Sequence, residues 1–147
     1  MDQASQLSRL LIELFKSQRL AALSTQSNGQ PYGCLVAFAS TDDLRGLLFV
    51  TDRGTRKYRE LSVAPRVAML IDSRSNQEVD FGQAMAVTAI GQAAEVVEAE
   101  RDALTAAYLV KHPNLADFLE APNNALVKID VETYIVSSFR ETATLQP

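Results

Sequence analysis

The chain has 147 residues, 47% of them apolar and 22% charged, with a net charge of −4; this is ordinary globular composition, and it predicts one packed domain spanning 1–147. The overall acidity argues against a general nucleic-acid binder, whose phosphate affinity needs a broad cationic surface. A single cysteine, Cys34, excludes an internal disulfide framework and a multi-cysteine metal centre.

The opening MDQASQLSRLLIELFKSQ mixes polar and charged residues into its apolar run, so it reads as neither a signal segment nor a membrane span. The expectation is a cytoplasmic protein with no membrane partner. Leu7, Leu10, Leu11, Leu14 and Phe15 recur at helical spacing and predict an amphipathic helix of about four turns. LAALST (20–25) reads as a strand, Asn28-Gly29 as a hairpin turn, and PYGCLVAFAS (31–40) as the returning strand. TDDLRG (41–46) is a second turn, in which Asp42 and Asp43 serve the turn itself. GLLFVT (46–51) completes an antiparallel meander.

A helix running to about Val63 follows and is stopped by Pro65. RVAMLIDS (66–73) is a strand and RSNQEVDFGQ (74–83) a polar loop. AMAVTAIGQAAEVVE (84–98) is one long strand bent at Gly91. ERDALTAAYLVKH (100–112) is a second amphipathic helix, PNLADFLE a short helical piece, and NALVKIDV (124–131) and TYIVSSF (133–139) two closing strands. The predicted class is mainly β with α (α+β): six to seven antiparallel strands closed into a small barrel with flanking helices, because closure removes exposed strand edges.

The stretch FVTDRGTRKYREL carries the chain's charge anomaly. Between Arg53 and Arg66 stand five cations (Arg53, Arg56, Lys57, Arg59, Arg66) and one anion, Glu60. With Thr55 as N-cap, Arg56 and Lys57 occupy the first helical turn, which already carries roughly half a positive charge. Two readings fit. The side chains extend into water at a cost of roughly a few tenths of a kcal/mol. Alternatively, a phosphate sits there and takes bonds from backbone N–H groups, the Thr51 and Thr55 hydroxyls, the guanidinium and the ammonium. Thr51, Thr55 and Gly54 tip the balance toward the phosphate.

VTDRGTRKYRELSVAPRVAMLI resembles the phosphate-binding segment of the pyridoxamine 5′-phosphate oxidase-like flavoproteins, in its Thr-Arg-Lys helix start and its Pro-Arg-Val entry into the next strand. GQPYGCLVAFASTDDLRGLLFVT is similar to the two strands that flank the flavin in that family, and AVTAIGQAAEV to its long barrel strand. The resemblance implies a split-barrel homodimer with FMN at the interface. It implies the FMN phosphate on Arg56 and Lys57, with Thr51 and Thr55 as hydroxyl partners. It also implies the backbone of Val36, Ala37 and Phe38 along the isoalloxazine, and Val50 supporting the ring. Arg74 and Asn76 lie in a loop that approaches the flavin or the neighbouring subunit in the family. Read from the residues alone, that loop is a polar turn in which Asp72 and Asn76 bond their own backbone.

The chain also departs from the true oxidase. Cys34 and Ala39 stand where that enzyme has an Arg and a Lys beside the flavin-facing strand. Ala86 stands in place of its Gln, and its Arg-x-His substrate motif has no counterpart. The expectation is therefore an FMN-binding small oxidoreductase of unknown substrate, and not a pyridoxamine phosphate oxidase. AAYLVKHPNLADFLE is similar to the Tyr-Leu-x-x-His-Pro segment of the haem-utilisation branch, so haem handling is one alternative; a non-catalytic flavin-binding module is another. His112 reads as a helix C-terminal residue favourable to the dipole, Cys34 as a small buried thiol, and Glu95, Glu98 and Glu100 as solvated surface. No cluster has metal-ligand spacing.

Overall fold

The computed structural model describes residues 2–147. Helix α1 (Gln3–Ser17) is N-capped by Asp2, whose carboxylate accepts from the Ser5 N–H at 2.7 Å, and it buries Leu11, Leu14 and Phe15. Strands β1 (Leu20–Ser27) and β2 (Gln30–Ser40) form the predicted hairpin. Its two turn residues, Asn28 (φ 51°) and Gly29 (φ 82°), are both left-handed, the geometry that matches the twist of the flanking strands. Strand β3 (Gly46–Asp52), helix α2 (Arg56–Val63) and strand β4 (Arg66–Asp72) follow. Then come α3 (Asp80–Gln83), β5 (Ala86–Glu95), α4 (Glu98–Lys111), a 3₁₀ turn (Pro113–Leu115), α5 (Ala116–Glu120), β6 (Asn124–Ser137) and β7 (Thr142–Leu145).

The strand order is β3-β2-β1-β4-β5-β6-β7, and β3 also pairs with β6. Strands β1 to β6 therefore close a six-stranded antiparallel barrel, with β7 added to the outside of β6. Alternate residues point inward, so Leu23, Phe38, Phe49, Met69, Val87, Ile129 and Tyr134 share one core with the apolar face of α1. The lacing is uneven. The β1–β2 hairpin is paired along its own length, but β2 meets β3 over only residues 38–40 and β1 meets β4 over only residues 22–24.

Two sequence expectations are corrected. The closing strands predicted at 124–131 and 133–139 are one strand, β6. Ile90 pairs with Thr133 and Gly91 with Val131, which leaves Glu132 as an extra residue, a bulge. The polar residue that looked like a break is the bulge itself. Gly91, opposite it, lies so close to β6 that a Cβ there would sit 2.1 Å from the Asp130 carbonyl oxygen, which is why this bend requires glycine. The second correction is α3, which forms within the stretch 74–83 expected to be a polar loop; β7 lies beyond the predicted elements and, at four residues, carries too short a pattern to announce itself.

Helices α4 and α5 cover the outer face of β2, β3 and β6, where Tyr108 and Leu119 pack on Ala39, Leu48, Val50 and Leu126. Among the described residues, no helix covers the outer face of β2, β1 and β4 in this way. Leu35, Ala22 and Leu70 are aligned there as cross-strand partners, with Leu20 one step along, and Leu35 is 67% exposed and Leu20 55%. No helix among the described residues is long and apolar enough to cross a membrane.

Candidate functional site

The turn between β3 and α2 is built from short side chains that satisfy one another. The Gly54 N–H donates to Asp52 Oδ1 at 2.6 Å, and Asn123 Nδ2 donates to the same oxygen at 2.7 Å. Thr55 is the N-cap: its Oγ1 accepts from the Tyr58 N–H at 3.4 Å and donates to the Asp52 carbonyl at 2.8 Å. Thr51, almost fully buried, meets Thr55 hydroxyl to hydroxyl at 2.9 Å. First-turn N–H groups have no acceptor within the helix, and the cap takes only that of Tyr58. Among the described residues those of Arg56 and Lys57 meet no acceptor, and they remain for an incoming one.

The five cations divide by partner. Arg53 grips Glu95 with two nitrogens at 3.0 and 2.7 Å, and the Tyr58 hydroxyl donates to the same carboxylate at 2.8 Å. Arg53 foremost, with Tyr58, holds the Glu95 carboxyl below its usual range. Arg66 grips Glu132 at 3.1 and 2.9 Å. Arg59 donates to the Gly54 carbonyl at 2.7 Å. Arg56 donates Nε to Glu60 at 2.9 Å, while its guanidinium lies 4.3 Å from the centre of the Tyr32 ring. Lys57, half-buried, makes no hydrogen bond or ion pair among the described residues.

Glu60 is the buried carboxylate of the group. Its second oxygen accepts from the Thr25 hydroxyl at 2.7 Å, and Thr25 first, then Arg56, hold its carboxyl below the usual range. With Nε tied to Glu60, the guanidinium is oriented with its two terminal nitrogens available. The Cys34 thiol on β2 is half-buried rather than buried; burial pushes it up and the charge of Lys57 acts the other way.

On β2, Val36 and Phe38 point into the core and Ala37 outward. Tyr108 donates its hydroxyl to the Ala37 carbonyl at 3.0 Å, and His112 Nε2 meets the Phe38 carbonyl at 2.7 Å. That carbonyl only accepts, so Nε2 carries the proton. His112 is the C-cap of α4, the helix-end position expected, and its buried ring also latches onto β2; burial pulls its pKa down. Val50 packs in the α4 cluster on the outer face of β3.

Arg74 and Asn76 lie elsewhere. Arg74 pairs with Asp72 at 2.7 Å, and the left-handed Asn76 (φ 62°) donates its N–H to Asp80 at 2.7 Å. Both line a cavity of about 700 Å³ together with Phe81, Met85, Ser138 and Phe139. The structure therefore gathers Thr51, Thr55, Arg56 and Lys57 at one turn, with residues 36–38 and Val50 along the adjoining strands. Arg74 and Asn76 line a separate cavity. Two further expectations are corrected: Glu95 is tied to Arg53, and Asp72 and Asn76 do not bond their own backbone, since Asp72 pairs with Arg74 and the Asn76 N–H goes to Asp80. In the sequence Glu60 stands only as the one anion of the basic stretch, Tyr108 only as part of the Tyr-Leu-x-x-His-Pro segment, and Tyr32 carries no signal. The i,i+4 spacing of Arg56 and Glu60 was the available signal for the first. Among the described residues, no group of three or more His, Cys, Asp or Glu side chains could hold a metal ion.

The family model described as pyridoxamine 5′-phosphate oxidase matches residues 9–137. The chain belongs to that family. Solved structures resemble this family member in fold. A heme binding protein from Mycobacterium smegmatis superposes with a TM-score of 0.83 at 16% identity, over 99% of this chain and 59% of that one. A FAD-binding protein from Mesorhizobium loti gives 0.67 at 18% identity, over 85% of this chain and 89% of that one. General Stress Protein 26 from Bacillus anthracis gives 0.68 at 22% identity, over 95% and 99%. The chain thus spans about three fifths of the heme binding protein. No curated protein sequence matches it.

Proposed function

We propose that this family member is an FMN-binding flavoprotein, a small oxidoreductase in which α2 anchors the cofactor phosphate. The observation that carries the reading is the donor set at one turn: the free N–H groups of Arg56 and Lys57, the unpaired Lys57 ammonium, and the Arg56 guanidinium oriented by Glu60. These residues fit a terminal phosphate. In this reading the Thr51 and Thr55 hydroxyls, now directed at each other and at Asp52, turn toward it. The peptide groups of Val36, Ala37 and Phe38 and the side chain of Val50 flank the ring, whose redox chemistry is the cofactor's own. The uncovered face bearing Leu20, Leu35 and Leu70 pairs two copies, and in that dimer the cavity at Arg74 and Asn76 faces the partner's flavin.

Haem handling is the second reading, favoured by the 0.83 superposition on a heme binding protein. The chain's one imidazole is buried and committed to Phe38, which weighs toward flavin.

Titration of the purified protein with FMN, riboflavin and hemin, followed by visible absorption, tests the proposal. Tight FMN binding with weaker riboflavin binding supports it. A protein that binds no flavin overturns it, and a Soret shift with hemin alone selects the second reading. Turnover of NADH or NADPH by the FMN-loaded protein separates an oxidoreductase from a flavin-binding module.

A further inference from the structure

Helix α4 lies across β2 and grips it from both edges. The Phe38 N–H donates to the Arg19 carbonyl at 3.2 Å, so the polar groups of Phe38 face the β1 edge. His112 takes the Phe38 carbonyl on that side. By strand alternation the polar groups of Ala37 face the opposite edge, toward β3. There Tyr108 reaches the Ala37 carbonyl, and Tyr108 itself is fully buried. The β2–β3 register ends at Phe38 and Phe49. The Ala37 N–H therefore lies just past the last rung of that ladder, at the point where the two strands part.

We propose that Tyr108 and His112 are positioning residues for the flavin: by holding the carbonyls of two successive residues from opposite edges of β2, they aim the Ala37 N–H into the split as a donor to the polar edge of the ring. This rests on the FMN reading. Neither side chain touches the ligand. They act through the strand, which cannot rotate while both carbonyls are held. The spacing is suited to the task, since residues four apart on a helix stand on one face, one turn from each other. Tyr108 and His112 are also in ring contact, with centroids 5.0 Å apart, so each limits the other's freedom.

The test uses Tyr108→Phe, which removes one oxygen and keeps the ring, with His112→Gln and His112→Leu as a conservative and a disruptive pair. Loss of one such hydrogen bond predicts a fall of roughly 3- to 10-fold in affinity for FMN and riboflavin alike, because the phosphate anchor is untouched. The absorption maximum of the saturated Tyr108→Phe complex shifts relative to wild type, and His112→Gln retains more affinity than His112→Leu. In the unliganded protein, the Phe38 amide exchanges faster in Tyr108→Phe while those of Met69 and Val87 stay protected. Wild-type flavin binding with the variants unchanged in affinity, spectrum and Phe38 exchange overturns this assignment alone. Absence of flavin binding by the wild type overturns the FMN reading and this assignment together.

Discussion

Lys57→Ala separates the proposed phosphate site from the structural charge around it. Three of the five neighbouring cations are tied to carboxylates and Arg59 to a carbonyl, whereas Lys57 is tied to nothing among the described residues. Its removal therefore breaks no internal bond, and the melting temperature should stay within the change expected of a surface substitution, about 0.5 kcal/mol. A hydrogen bond to a charged group is worth about 1.5–3 kcal/mol. Lys57 is half-buried, so the lower end applies, and FMN affinity should fall about tenfold. Riboflavin, which has the ring and no phosphate, should bind the variant as it binds the wild type. Arg53→Ala is the control. It breaks the two-nitrogen grip on Glu95 and the bond to the Pro122 carbonyl, leaving Tyr58 as that carboxylate's remaining donor, so it should lower the melting temperature and leave the FMN-to-riboflavin ratio alone. Fluorescence quenching of each flavin gives both dissociation constants in one experiment. An unchanged ratio in Lys57→Ala, or a changed ratio in Arg53→Ala, would refute the sorting of these cations.

Two predictions concern the scaffold. Gly91→Ala places a methyl where the Asp130 carbonyl stands, and overpacking of this kind costs about 1–3 kcal/mol or more. Thermal melting should drop by roughly 2–4 °C for each of those kcal/mol, and an unaltered melting temperature would mean that β5 and β6 do not approach as described. Lys111 donates to the Phe15 carbonyl at 2.7 Å, and burial pulls its pKa down to about 8 from 10.5, while the Phe38 ring 3.7 Å away favours the cation and limits the shift. Between about 8 and 10.5 the unfolded chain holds the proton that the folded chain has released, so this group's contribution to stability rises with pH through that window and is lost as pH falls through about 8. The difference in melting temperature between wild type and Lys111→Met should therefore move in favour of the wild type from pH 7.5 to 10, and a constant difference would contradict the burial of Lys111.

Most of the barrel was legible because its elements announce themselves locally. Asn28-Gly29 fixes a hairpin, Pro65 ends α2, and Gly91 marks the bend, each through backbone geometry that a few residues determine. The misreadings occurred where tertiary partners decide. Glu132 looks like a loop residue until Arg66 grips it from β4, and Glu95 looks solvated until Arg53 reaches it across 42 residues. The same holds at the candidate site. The Thr-Arg-Lys start pointed to the turn proposed for the phosphate, but the roles of Glu60, Tyr108 and His112 depend on Thr25, Ala37 and Phe38, and no spacing rule links such distant residues.

The β1–β2 hairpin, held by three residues to β3 and by three to β4, is a leaf hung in a stiffer frame. Helix α2 pins it near the turn through Thr25 and Tyr32, and α4 pins the opposite end through Ala37 and Phe38. A molecule wedged between this leaf and β3 would act as a third pin. Its arrival should register as the damping of one cooperative flapping unit, residues 20–40, with the rest of the barrel indifferent.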